Sequence, residues 1–144
     1  MQLRFHKNLL MKIYFFMAVL LLTGLNSNSQ NLIGYKAIDI KKYMSENRSD
    51  MNLDKVNNKS FSYFKYSDKY DAQTVLFFLT PDSVCKNVRI VCNNSIRSTK
   101  LKELDSVYSK SGENTWTDKR SGKNYRVSLI DDDWSFSITI EPEN

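Results

Sequence analysis

Histidine is almost missing from this chain. Its 144 residues include one, His6, which lies in an N-terminal stretch that export would remove. Without histidine there is no Ser-His-Asp or Cys-His nucleophile, no imidazole general base and no histidine ligand for zinc. An enzyme built from the rest would have to use carboxylates, lysine, tyrosine or an unassisted thiol. Glycine is scarce as well, at four residues, and none belongs to a GxGxxG or Walker pattern, the loops whose backbone amides cradle phosphate. Basic charge is not concentrated: no basic block is longer than two residues, and acids are interleaved throughout. A nucleic-acid groove needs a concentrated positive face, so that partner class is not expected. No cofactor or metal motif is present either.

Only two cysteines occur, Cys85 and Cys92. An even count in an exported chain ordinarily suggests a disulfide. Here "VCKNVRIVC" reads as one strand, with Val88, Ile90 and Cys92 on one face and Cys85, Asn87, Arg89 and Val91 on the other. Seven strand residues span about 23 Å at roughly 3.3 Å each, whereas a bridge needs Cα atoms within about 7 Å. The expectation is a core Cys92 and a free Cys85 near a strand end, with an intermolecular bridge at Cys85 as the alternative.

What the sequence does contain begins with "IYFFMAVLLL", an unbroken apolar run of ten residues (Ile13–Leu22) preceded by Arg4, Lys7 and Lys12. A membrane-spanning helix needs about 20 apolar residues, a secretory core roughly 7–15. The run is followed by "NSNSQ", where Ser27 and Ser29 supply the small residues of a cleavage site. Residues 1–29 therefore read as a signal peptide cut near Ser29/Gln30, and Met11 begins a segment that is a complete signal by itself. Cleavage removes three of the 21 basic residues and no acid, leaving 18 against 16 and a net charge near +2. The expected location is periplasmic or extracellular, with no membrane span left after cleavage.

Residues 30–144 then read as one α+β domain. Ile33, Ala37, Ile40 and Met44 recur at helical spacing, predicting a helix over 34–47. A polar loop leads to strands at 61–66, 73–79 and 84–92, the last two joined by the turn "TPDS". Leu101, Leu104, Val107 and Tyr108 predict a second helix over about 98–110, ended by Gly112. Strands at 114–118, 124–130 and 134–140 follow. The pattern predicts two tandem αβββ repeats, about 32–93 and 94–144. They would form one antiparallel sheet of about six strands with two helices on one face. One such unit alone is too small to bury a sufficient core. The plan resembles that of small periplasmic modules such as the β-lactamase-inhibitor-like and PepSY-like groups; no diagnostic residue carries the resemblance, and it implies no function.

Three features carry the functional expectation. In "LIDDDWSF" the aspartates Asp131–Asp133 occupy the place of "TPDS" in the first repeat. They lack the alternating acids, glycine and distal glutamate of a calcium loop, so they read as a hairpin turn. Trp134 continues the apolar phase of Phe136, Ile138 and Ile140 and reads as core, while Trp116 suits either core or ligand stacking. In "FSYFKYSDKY" Phe61 and Tyr63 alternate with Phe64 and Tyr66, so one pair faces outward unless both faces are covered. The acidic pairs Glu103/Asp105 and Asp68/Asp71 have nothing to place them across a cleft and read as solvated charges. The reading is a non-catalytic binding module for a protein or envelope component, with Tyr63, Tyr66 and Trp116 as candidate contacts. The competing reading is a carboxylate hydrolase or calcium-dependent module using the Asp131–Asp133 loop.

Overall fold

A computed structural model describes residues 31–54, 62–119 and 122–143. The apolar run, the expected cleavage site and Phe61 lie outside the described residues. The chain enters helix α1 (Ala37–Asn47), then strands β1 (Met51–Asp54), β2 (Tyr63–Asp68), β3 (Gln73–Leu79) and β4 (Cys85–Asn93). A 3-10 turn at Asn94–Ile96 opens helix α2 (Arg97–Val107), followed by β5 (Ser109–Gly112), β6 (Thr115–Asp118), β7 (Tyr125–Asp131) and β8 (Ser135–Pro142).

All eight strands form one antiparallel sheet in the order β1-β2-β3-β4-β8-β7-β6-β5. The α+β class and the antiparallel sheet agree with the sequence pattern, but the described residues form eight strands where about six were expected. Each helix is followed by four strands rather than three. The two additions are edge strands. "MNLD" lies within the expected polar loop, and "SKSG", exposed along its whole length, occupies the expected end of the second helix. Both are short, as sheet edges that avoid pairing with other chains commonly are.

The two four-stranded meanders meet at β4 and β8, where Val88 faces Ile140, Ile90 faces Ile138 and Cys92 faces Phe136. Residues directly opposite in an antiparallel pair share a face. One inner row therefore runs Phe64, Phe77, Val88, Ile140, Val127, Trp116, and the next runs Tyr66, Val75, Ile90, Ile138, Leu129. Both helices cover this face. Ile40 and Met44 of α1 and Leu104 of α2 are buried in the same core. The Lys41 ammonium of α1 sits 4.7 Å from the Phe64 ring centre. Asp105 of α2 accepts a 2.8 Å hydrogen bond from Trp116 Nε1.

Two placements differ from the sequence reading. A bulge in β4 pairs Phe78 with Asn87 but Leu79 with Cys85, leaving Lys86 as the extra residue. The side-chain phase inverts there, so Cys85 joins Cys92 inside rather than facing outward, and each is 1% exposed. Both are free thiols. Trp134, expected in the core, is 87% exposed. β8 starts only at Ser135, and the bond from Asp132 N to Ser135 O (2.8 Å) leaves Asp133–Trp134 as the tip of the hairpin.

Candidate functional site: the uncovered face of the sheet

With both helices on one face, no described element lies over the other. Alternation along β2–β4 and β6–β8 aims a second set of side chains there. One row across it runs Lys65, Leu76, Arg89, Thr139, Ser128, Thr115. The next runs Ser67, Thr74, Val91, Ser137, Ile130, and Tyr63, Phe78 and Asn87 begin a third. The face is asymmetric. Its β2–β4 half carries aromatic and aliphatic side chains with two cations, while its β6–β8 half is mostly hydroxyl groups.

Tyr63 and Phe78 are cross-strand partners whose rings lie 5.8 Å apart at 40°. Such pairs supply contact area with little side-chain freedom to lose. Beside them Lys65 is held by Asp54 at 3.0 Å, and Ser67 donates a 2.8 Å hydrogen bond to the same carboxylate. The Lys65 and Ser67 bonds hold the Asp54 carboxyl below the ordinary aspartate range. Arg89 is exposed and makes no ion pair among the described residues. This half thus combines apolar area with one unneutralised guanidinium, a side chain enriched at protein interfaces.

The three candidate contact residues separate. Tyr63 lies on the uncovered face, half-buried against Phe78. Tyr66 is 5% exposed on the inner face, edge-on to Phe77, with its hydroxyl pKa raised by burial. Trp116 is fully buried under α2, bonded to Asp105 and stacked near the Lys110 ammonium (5.6 Å). Tyr66 and Trp116, named as candidate contacts, both lie inside the core: β2 turns its Phe64/Tyr66 set inward and its Tyr63/Lys65 set outward. Sequence alternation identified the two sets without telling which was covered. The partners Phe78, Leu76 and Arg89 come from other strands, and only the register joins them to Tyr63.

The Asp131–Asp133 loop is a hairpin turn, and its first carboxylate is occupied. Arg97 of α2 grips Asp131 with two bonds of 2.6 and 2.7 Å, and the Arg97 bond holds that carboxyl below the ordinary aspartate range. Asn94 Nδ2 donates to the Asp133 carbonyl at 3.3 Å. The acidic pairs are structural in part: Glu103 accepts from Lys100, Asp105 from Trp116, and Asp68 closes its own turn on Ala72 N. No group of three or more His, Cys, Asp or Glu side chains converges among the described residues. No described helix is long and apolar enough to cross a membrane. No family model, curated protein or solved structure matches the chain.

Proposed function

We propose that the protein is an exported, non-catalytic binding module that recognises a protein or other envelope component through the β2–β4 half of its uncovered sheet face. The carrying observation is the packed Tyr63–Phe78 pair, flanked by Leu76, Lys65 and Arg89, which makes no ion pair among the described residues, on a face with both helices behind it. A sheet that builds a full core on one side does not need aromatic and aliphatic residues on the other for folding. Grouped apolar residues with an arginine are what a protein contact uses. The N-terminal apolar run supports delivery to the periplasm or beyond, with a mature chain beginning near Gln30. The lack of histidine after residue 30 supports a binding role over a hydrolytic one.

The test is recovery of partners from the cell envelope with tagged full-length protein, comparing wild type with Tyr63→Ala and Arg89→Glu. The reading expects a partner retained by wild type, released by both variants, and indifferent to EDTA. Retention unchanged by both variants removes the uncovered face from the account. N-terminal sequencing of the exported form tests the delivery half separately: a chain still carrying "MAVLLL" and pelleting with membranes counts against cleavage.

A further inference from the structure

Two aromatic side chains stand almost fully in solvent: Trp134 at 87% and Tyr70 at 83% exposure. They lie at the same end of the sheet. Gln73, Cys92, Phe136 and Asp131 form one cross-strand row, and the β2–β3 and β7–β8 hairpins both turn just beyond it. Among the described residues, the end of β4 and the Asn93–Ser95 segment run between these hairpins. The hairpin centres are three strand spacings apart, about 14 Å at roughly 4.8 Å each.

Both tips are fastened to that middle segment. Asn93 N donates to Ala72 O (2.9 Å), and Asn94 Nδ2 donates to Asp133 O (3.3 Å). The Tyr70 turn is closed by Ala72 N on the Asp68 carboxylate at 2.8 Å, with Asp71 in the left-handed region at φ 52°, a conformation aspartate tolerates. The Trp134 hairpin is braced by Arg97 on Asp131. The two turns that carry the rings are therefore supported, which lowers the backbone ordering a ligand spanning them requires.

The surface between the rings is polar. It presents Asn93, Asn94 and Ser95, with Asp132 and Asp133 on one side and Lys69 and Asp71 on the other, all exposed. A protein contact would place an apolar, charge-depleted centre there, and three aspartates against one lysine repel anionic lipid and polyanions. A neutral sugar chain fits both halves of the arrangement. Its C–H faces lie on aromatic rings, and its hydroxyl groups donate to carboxylate and amide oxygens. We propose that this rim binds a neutral polysaccharide, with Trp134 and Tyr70 as stacking platforms and Asn94, Asp132 and Asp133 as hydroxyl acceptors. The site shares no residue with the uncovered sheet face and stands or falls apart from it.

The test runs full-length protein through native gels containing soluble glucan, xylan or mannan, and beside them measures tryptophan emission with phosphatidylcholine vesicles. At least one polysaccharide should retard wild type, and Trp134→Ala and Tyr70→Ala should each weaken the retardation about tenfold. Tyr63→Ala should retain it, which separates this site from the uncovered face. Both rim substitutions are solvent-exposed, so unchanged melting temperatures confirm that the fold is intact. Three results overturn the proposal: no polysaccharide retards the protein; Trp134→Ala is retarded as strongly as wild type; or vesicles blue-shift the Trp134 emission while the polysaccharides do nothing, which assigns the rim to a membrane surface.

Discussion

Cys92 on β4 stands directly opposite Phe136 on β8, at the seam where the two four-stranded meanders join. Phe136 is wholly buried, and Ile138 and Ile140 continue its face along β8. Truncating a wholly buried phenylalanine removes its transfer free energy and leaves a cavity that neighbours only partly fill. Phe136→Ala should therefore cost about 3–5 kcal/mol. In urea the midpoint should fall with little change in slope; a variant that melts with the parent would falsify the seam as the centre of the core.

The two tryptophans should behave oppositely. Trp116 is fully buried and its Nε1 donates to Asp105, so Trp116→Ala should destabilise by about 3–5 kcal/mol. Trp134 projects from a hairpin tip, and Trp134→Ala should stay within about 0.5 kcal/mol of the parent. Acrylamide quenching reports the same division without any unfolding. Wild type should show one accessible and one shielded emitter, and Trp134→Ala only the shielded one.

That pair also shows where the sequence was legible and where it was not. The period-2 pattern placed β3 at 73–79, matching the strand, and put Phe136, Ile138 and Val88 inside. It failed where pattern and hydrogen bonding part company. Trp134 is in phase with Phe136, but the hairpin closes at Asp132 and Ser135 and lifts it off the sheet. Cys85 is out of phase with Cys92, but Lys86 is an extra residue that resets the phase. The edge strand β5 carries no apolar residue and buries nothing, and in β1 the alternation of Met51 and Leu53 lasts only four residues inside a polar stretch, too short to stand out as a strand. The candidate site suffered similarly. Alternation sorted Tyr63 from Tyr66, but which set is covered depends on where two distant helices pack, and the meeting of Tyr70 with Trp134 at one rim depends on strand order.

Calcium should leave the protein indifferent. Asp131, the first acid of the triplet, is already neutralised by two bonds from Arg97, and the Asp133 carbonyl accepts from Asn94. A cation would have to displace the guanidinium and reshape the turn before gaining several oxygen ligands. Millimolar calcium or EDTA should not shift the melting temperature. A calcium-dependent rise that Asp131→Asn abolishes would restore the loop as a metal site and weaken the binding-module reading.

The last expectation concerns alkaline pH and follows from the two enclosed thiols. Cys85 and Cys92 are each 1% exposed, and burial pushes both thiols up to about 11 from an ordinary value of 9.0. The neutral thiol is the form the core accepts; a thiolate there would lose its hydration, and at Cys92 the Lys100 charge offsets only part of that loss. In the unfolded chain each thiol ionises near pH 9, so between pH 9 and 11 the folded protein holds more protons than the unfolded one. By linkage, stability falls as pH rises wherever the folded state is the better proton binder. The thiol contribution should be fully present below about pH 9 and lost progressively as pH climbs toward 11. Melting temperatures of wild type should decline across that window, and the decline should be shallower in the Cys85→Ala/Cys92→Ala double variant. Tyrosine and lysine titrations are common to both proteins, so the difference between the two curves isolates the thiols. A disulfide-type reagent at pH 8 should label neither cysteine in the native state and both in urea. Rapid labelling of Cys85 under native conditions would mean that the β4 bulge does not hold it inside.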